Sequence, residues 1–475
     1  MTRPLNPVTP AFLEALQARL PTGTLRPPEP RHLSEPRGIW TGQAGIIATP
    51  ATAQEVAAII RAANEASVAV VPYGGGTGLV GGQVAPDIPP PIVLSAERLT
   101  AIREVTPAEN AVTAEAGVVL ADLRARVAKA QRLFPLMIAS EGSCRIGGNL
   151  ATNAGGMNVL RYGNTRDLVL GIEAVLPDGT IFNGLKSLRK DNTGYDLKNL
   201  LVGSEGTLGF ITAASLRLFA RPSRRQVALL AVPSPAHALD LLHLAQHVAG
   251  EAVSIFELLG QMSFEFISET MPDVSLPMVP APHWAVLMEL GTAEGVDGDA
   301  LLQHIWEKGT AAGLLDDAIL AQSEAQADAL IAMREAVPEA NKRIGSISSH
   351  DVSLPLSQIA PFIAEAPKAL AQIGDFRINC FGHLGDGNLH YNVYPPKSVA
   401  KAPLVHLRDE IAALVHKMVV ARGGSFSAEH GVGRLKVGEL ERFGDPAKLA
   451  MMRSIKQALD PKGIMNPGAV LAHGS

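Results

Sequence analysis

Tyr73-Gly-Gly-Gly-Thr-Gly-Leu-Val-Gly-Gly-Gln83 decides how the first half of this chain is read. It follows a short apolar run, 68–72, that reads as a buried strand, and it contains Gly76-x-Gly78-x-x-Gly81, the spacing of a nicotinamide-dinucleotide fingerprint. That fingerprint works only where a helix opens at its end, because the helix N-terminus holds the pyrophosphate. Pro86, Pro89, Pro90 and Pro91 forbid such a helix. The loop must instead bind through its own backbone N–H groups, which glycines leave bare for close approach by phosphate oxygens.

Two further segments have the same texture. Ser140-Glu-Gly-Ser-Cys-Arg-Ile-Gly-Gly-Asn-Leu-Ala-Thr-Asn-Ala-Gly-Gly156 lies between predicted strands 111–117 and 168–176, and Gly203-Ser-Glu-Gly-Thr-Leu-Gly209 leads into a predicted strand over 210–218. Small residues dominate all three, as required where backbone must touch a planar or phosphorylated cofactor, and several such loops imply a long ligand. Upstream, Thr49-Pro50 reads as an N-cap with proline at the first helical position, and Val56, Ile59, Ile60 and Ala63 then fall at helical spacing.

The second half carries its own constellation, Phe381-Gly-His-Leu-Gly-Asp-Gly-Asn-Leu-His-Tyr-Asn392. Gly385-Asp386-Gly387-Asn388 supplies residues that tolerate positive φ, so the chain reverses there, with Asp386 a turn-former rather than an acid. If Leu384 faces Leu389, His383 faces His390, and directly opposed residues have Cβ atoms ~5 Å apart. Two imidazoles at that separation suit one metal ion; the competing reading is a hairpin whose histidines only pack or hydrogen-bond. Ser427-Ala-Glu-His-Gly-Val-Gly433 adds Glu429 as a hard oxygen ligand, and a His2Glu set with open positions describes a catalytic metal site. Glu429 and His430 would point to opposite sides of an extended strand, so the backbone must leave that form near Gly431.

Between these regions, strand-helix-strand blocks at 226–232, 235–248 and 253–258, and again at 284–291, 297–312 and 317–321, read as a ferredoxin-like α+β domain of two similar halves. Helices are predicted over 328–343, 407–420 and 446–459.

At 475 residues, two or three domains are expected. A net charge of −5 without a basic stripe argues against nucleic acid. The two cysteines, Cys144 and Cys380, are far apart and lack a C-x-x-C, which argues against an iron–sulfur centre and a disulfide framework and fits a reducing, cytoplasmic compartment. The stretch that begins Met1-Thr-Arg-Pro shows no apolar core of secretory length, so no secretory leader is expected, and no apolar run approaches the ~20 residues that span a bilayer, although peripheral membrane docking stays open.

The three loops read almost word for word like the flavin-binding half of the vanillyl-alcohol-oxidase superfamily, and the hairpin with the 427–433 segment resembles its D-lactate, D-2-hydroxyglutarate and glycolate dehydrogenase branch. The similarity runs from about residue 45 to the end. It implies an α+β architecture: a two-subdomain FAD-binding domain of the PCMH type over 1–220, a ferredoxin-like α+β substrate or cap domain with the metal site over 221–434, and a C-terminal segment over 435–475 that returns to the flavin. The resemblance implies non-covalent FAD, with no histidine between His32 and His237 to tether it. The pyrophosphate would lie on the first loop, at Pro72, Gly74, Gly75, Gly76, Thr77, Gly78, Leu79, Gly82 and Gln83. The isoalloxazine would lie over the second loop, at Ser140, Glu141, Gly142, Gly147, Gly148, Asn149, Thr152, Asn153, Gly155 and Gly156, and over the third, at Glu205, Gly206, Gly209 and Ile211, with Asn466 close by in the tail.

The family's roles carry over to His383, His390 and Glu429 as ligands of Zn2+, or of Mn2+ or Fe2+ with the same donors, to His430 as catalytic base, and to Arg334 as the grip on the substrate carboxylate. Without the resemblance, Arg334 would read as a solvated helix arginine. Asn392 shares a strand face with His390 and can reach the substrate.

The reaction implied is oxidation of a D-2-hydroxyacid with hydride transfer to flavin N5, electrons passing to a separate acceptor such as electron-transfer flavoprotein, a quinone or a cytochrome. A homodimer is compatible. Two other classes stay open: alkyl transfer of the ether-lipid synthase type, and a metal-dependent hydrolase or metal-binding module; a glycolate oxidase subunit is a further member of the same branch. One departure concerns specificity. Where D-2-hydroxyglutarate enzymes of the branch carry a lysine for the distal carboxylate, this chain has Ser349, expected at the substrate with His350, which would compensate if protonated although strand alternation turns it the other way; Pro338 replaces a hydroxyl one turn after Arg334. Monocarboxylates such as D-lactate are therefore expected to be accepted more readily than by lysine-bearing relatives.

Overall fold

The computed structural model describes residues 4–473, so Met1, Thr2 and Arg3, read above for the lack of a leader, lie outside it. The chain forms two compact units. One comprises residues 1–155, 164–221 and 430–475, and the other residues 156–163 and 222–429. The expected boundaries shift, by one residue at Arg221 and further elsewhere. The short helix Val159–Tyr162 belongs with the second unit, where Arg161 Nη1 donates to the Gly291 carbonyl (2.7 Å), and the chain returns to the first unit at His430 rather than at 435.

In the first unit, Ile46–Ala48, Ile92–Ser95 and Val70–Tyr73 pair in parallel in that order, with Leu25–Arg26 antiparallel at the edge. Parallel strands need a crossover, and the helix Ala53–Ala66 carries the chain from Ile46–Ala48 to Val70–Tyr73, on the far side of Ile92–Ser95. It starts at Thr52 rather than at Thr49: Thr52 Oγ1 accepts the Glu55 N–H (3.1 Å), and Glu55 Oε2 accepts the Ala51 N–H (2.9 Å). Thr49 is instead buried against the Thr24 carbonyl. A five-stranded antiparallel sheet, ordered Ile102–Thr106, Ala111–Glu115, Phe210–Arg217, Val169–Val175 and Ile181–Asn183, completes the unit. No helix opens over 74–91, as the prolines dictate.

The second unit is one antiparallel sheet of seven strands: β1 (Arg224–Val232), β2 (Val253–Gly260), β3 (Trp284–Thr292), β4 (Asp317–Leu320), β5 (Ser348–Ser353), β6 (Arg377–His383) and β7 (Asn388–Tyr394). Their spatial order is β4-β1-β3-β2-β6-β7-β5. The first four, with helices Pro235–Ala249 and Gly298–Ala311, make the ferredoxin-like half, and the hairpin and β5 extend it from β2.

Period-2 alternation gives the extension two unlike faces. Leu258, Cys380, Leu389, Tyr391 and Val352 face an apolar core that also takes Phe362 and Val415 from helices Leu356–Leu370 and Arg408–Val420. Glu257, Asn379, His383, His390, Asn392, Asp351 and Ser349 face the other way, toward the helix Glu324–Ile344. That helix is tied to this face by Asn379 Nδ2 donating to Asn341 Oδ1 (2.9 Å). Pro338 lacks the N–H that would bond the Arg334 carbonyl one turn earlier.

The hairpin register differs from the expected one. Phe381, not His383, stands opposite His390, because Leu384 leaves the strand and opens a 3₁₀ turn, Leu384–Asp386, that closes at Gly387 with φ +83°. The slip is two residues, an even number, so both histidines keep the same face. They are diagonal neighbours with ring centroids 5.4 Å apart.

Candidate active site

The glycine loops of the first unit line a cleft. Of the residues expected on it, Pro72, Gly74, Gly75, Gly76, Thr77, Gly78, Gly82 and Gln83 form one wall; Gly147, Gly148, Asn149 and Thr152 form a second. Glu205, Gly206, Gly209, Ile211 and Asn466 close it, and His430 also lines it. Backbone makes the cradle. A Cβ on Gly74 would come within 3.3 Å of the Gly148 Cα, and one on Gly75 would stand 2.3 Å from the Ser143 carbonyl. Arg145, missed in the sequence, is the cation of the wall; it is anchored to the Gly117 carbonyl (2.5 Å), and burial lowers its pKa. A narrow, glycine-walled cleft with one arginine fits a flat ring system joined to a pyrophosphate.

Seven expected contacts lie outside this lining. Ser140, Glu141 and Gly142 form a surface turn in which the Ser143 and Cys144 N–H groups bond the Ser140 carbonyl, and the Glu141 carboxylate pairs with Arg124. Asn153 is the left-handed cap of the helix Ile146–Thr152 and accepts the Arg166 N–H (2.8 Å), while Gly155 and Gly156 mark the exit to the second unit. Leu79 is likewise off the wall. A glycine-rich string does not distinguish residues that face a ligand from those that turn the chain.

His430 is placed by a clamp of its own. Glu205 Oε1 accepts the Val432 N–H (2.7 Å) and Oε2 accepts the Gly433 N–H (2.8 Å). Burial pushes the Glu205 carboxyl up, and those two N–H groups oppose the shift. Gly431 at φ +81° takes the backbone out of the extended form, and a Cβ there would meet Glu205 Oε1 at 2.7 Å. Asn466 ties the first and third loops together, donating to the Gly82 (3.0 Å) and Glu205 (2.9 Å) carbonyls.

The second unit gathers the predicted donors on its polar sheet face. Glu429 Oε1 lies 3.6 Å from His390 Nε2 and 3.9 Å from His383 Nε2. Asp351, not foreseen as a donor, joins them: ligand atoms of Asp351, His390 and Glu429 lie within 4.8 Å of one another. Its carboxylate accepts from Asn388 Nδ2 (2.9 Å) and from the Glu429 N–H (3.0 Å), which holds Glu429 in place. Imidazole and carboxylate donors gathered in this way suit a divalent cation with N/O preference.

Glu257, also missed, is fully buried behind the cluster. Its Oε1 meets His383 Nδ1 (2.5 Å), and its Oε2 accepts from Arg334 Nε (2.7 Å) and Nη2 (2.5 Å). Burial is the largest influence on its carboxyl and raises it, but Arg334 and His383 together outweigh burial and hold it at about 2. For His383, burial favours the neutral ring and Glu257 opposes it more strongly, so its pKa stands well above the ordinary value, and a metal would have to displace that proton. Burial likewise raises Glu429, and the two histidines bring it below the usual carboxylate value. Arg334 is thus a buried arginine over the Phe381 ring (5.2 Å), not a solvated one.

Asn392 and Ser349 stand opposite each other on the same face, with the Ser349 hydroxyl bonded to that of Ser346 (2.6 Å). His350 is not on it. As the odd neighbour in β5 its ring turns to the apolar side and meets His416 Nε2 (3.3 Å), so its expected place at the substrate is withdrawn.

Residues 221–470 match the family "FAD linked oxidases, C-terminal domain", and residues 44–184 match "FAD binding domain". Among curated proteins, the mitochondrial D-2-hydroxyglutarate dehydrogenase of Bos taurus is 37% identical, covering 98% of this chain and 85% of its own. The D-2-hydroxyglutarate dehydrogenase of Xanthomonas citri pv. viticola is 36% identical over 90% of this chain and 89% of its own. Among solved structures, p-cresol methylhydroxylase with substrate bound superposes with a TM-score of 0.77 over 99% of both chains at 14% identity, which shows a shared PCMH-type fold.

The mitochondrial designation of the Bos taurus protein, and of relatives from Rattus norvegicus and Arabidopsis thaliana, overturns the cytoplasmic expectation. Unpaired cysteines report a reducing environment, not an address. Among the described residues no helix is long and apolar enough to cross a membrane.

Proposed function

Because this chain belongs to the FAD-linked oxidases and is an FAD-dependent oxidoreductase, we propose that it oxidises a D-2-hydroxyacid to the 2-oxoacid with the help of a divalent cation. The observation that carries the reading is the Glu429 carboxylate set against the Nε2 atoms of both His383 and His390 on one polar sheet face. When bound, FAD supplies a two-electron acceptor for the hydrogen on C2, and the cation, most simply Zn2+, lowers the pKa of the C2 hydroxyl. Arg334 takes the α-carboxylate, Asn392 orients the substrate oxygens, and His430 receives the hydroxyl proton. Glu429 and His430 are consecutive in the chain. FAD is held without a covalent bond, and electrons leave to a separate acceptor: electron-transfer flavoprotein, a quinone or a cytochrome.

The names of the relatives make D-2-hydroxyglutarate the first acid to try. Ser349 favours a second reading within the class, in which monocarboxylates such as D-lactate compete well, since its hydroxyl, already bonded to Ser346, cannot neutralise a distal carboxylate. Alkyl transfer is disfavoured, because that chemistry has no need of a His2Glu donor set.

His383→Ala, His390→Ala and Glu429→Ala should each lose bound metal and turnover while keeping a normal ratio of flavin to protein, and chelation of the wild type should reproduce them. Full activity in a metal-free, flavin-loaded preparation would sink the metal assignment.

A further inference from the structure

We propose that Glu257 is a positioning residue that fixes a metal-ligating histidine and the substrate-binding arginine through a single carboxylate. The inference rests on the reading of His383 and Arg334 given above and deepens it. Glu257 stands directly opposite His383, across the β2–β6 pairing, and is the one charged residue in the run Val253-Ser-Ile-Phe-Glu-Leu-Leu-Gly260. It is fully buried, with no exposure at all, in a strand whose neighbours Phe256 and Leu258 enter the apolar core.

The two oxygens divide their work. Oε1 lies 2.5 Å from His383 Nδ1, so a neutral His383 carries its proton there and donates it to Glu257. That tautomer leaves the lone pair on Nε2, the atom 3.9 Å from Glu429 Oε1 and the one that faces the donor cluster. Oε2 takes the Nε–Nη2 edge of Arg334, at 2.7 and 2.5 Å. A guanidinium has two edges that can grip a carboxylate, and occupying one fixes the direction of the other, Nη1–Nη2. The Phe381 ring 5.2 Å away removes the remaining freedom to tilt. A buried ion pair kept only for stability would need one such partner; this carboxylate has two, each of which serves a different task.

Glu257→Gln separates the cases, since the amide keeps the volume but has one acceptor. If its oxygen stays with Arg334, its N–H2 faces His383 Nδ1 and drives the ring proton to Nε2, which closes the ligating atom. If it turns over, N–H2 points at the guanidinium. Zn2+ affinity of the purified flavoprotein, measured by chelator competition, should fall roughly 10- to 100-fold. In the same variant KM for the hydroxyacid should rise on the order of tenfold or more at saturating Zn2+, with flavin content unchanged. Arg334→Met should raise KM alone and leave Zn2+ binding intact.

A Glu257→Gln enzyme with wild-type Zn2+ affinity and KM, altered only in melting temperature, would overturn the proposal and leave the metal reading standing. A wild type that binds no metal would overturn both. Should the variant fail to fold, nitrogen-15 histidine spectra of Zn2+-loaded wild type decide: a protonated Nδ1 with metal-bound Nε2 at His383 is the expected pattern, and ligation through Nδ1 contradicts it.

Discussion

The flavin cleft and the donor cluster are built by opposite means. In the first unit the wall is backbone: Gly74, Gly75 and Gly148 matter for the side chains they lack, and a Cβ at Gly75 would stand 2.3 Å from the Ser143 carbonyl. In the second unit the sheet is ordinary and the chemistry lies in side chains at alternating positions of β2, β5, β6 and β7. The first site depends on loop conformation and the second on sheet register. Damage to each should therefore look different.

The largest effect is expected from Gly75→Ala. Neither the Ser143 carbonyl nor the Cys144 Cα, 2.9 Å from the added methyl, is a flexible side-chain end that can step aside, so the two loops must part. The variant should be purified colourless, with flavin content and activity lost together. A yellow variant of normal activity would show that the cleft is far softer than its glycines suggest.

His430→Ala sharpens the contrast from the other side. His430 lines the flavin cleft, but Glu205 holds the neighbouring Val432 and Gly433 N–H groups, and the variant leaves that clamp in place. It should keep flavin and bound metal and lose roughly 10²- to 10⁴-fold in the chemical step. Loss of metal along with the rate would assign His430 to the donor set instead of to the proton.

Ser349→Lys should have the smallest effect, a shift of preference with little change in overall rate. Facing Asn392 on the polar sheet face, an added ammonium should raise kcat/KM for D-2-hydroxyglutarate relative to D-lactate, on the order of tenfold. An unchanged ratio, in a wild type that already prefers the dicarboxylate, would place the distal cation elsewhere, with Lys342 and Arg343 the first to examine.

The same contrast explains what could be read from the sequence. The ferredoxin-like half was legible because short apolar runs and stretches of helical length alternate from Arg224 to Leu320. The three glycine loops were legible as loops, but not residue by residue, since Gly142 in a surface turn and Gly148 in the wall look alike in a string. His383, His390 and Glu429 were singled out because histidines stand out, and the structure brings the three side chains together. The two-residue slip of the hairpin passed unseen because it depends on Leu384 entering a 3₁₀ turn, yet it did no harm to the site, being even. His350, one residue beyond Ser349, turns to the opposite face, as strand alternation requires. Glu257 and Asp351 were missed for another reason: a carboxylate in a strand acquires meaning only from its neighbour, and Glu257 meets His383 across 126 positions of sequence. Its one local signal is a charge inside an apolar run.

The central claim is that bound flavin accepts electrons from a D-2-hydroxyacid only when the donor cluster holds its cation. The direct test is anaerobic stopped-flow of the purified yellow enzyme with D-2-hydroxyglutarate or D-lactate, before and after chelation, with the L enantiomers alongside. Rapid bleaching by a D enantiomer, slowed by orders of magnitude after chelation and restored by Zn2+, is the predicted result. Flavin that stays yellow with every D-2-hydroxyacid tried, or that bleaches equally fast without metal, would contradict the account.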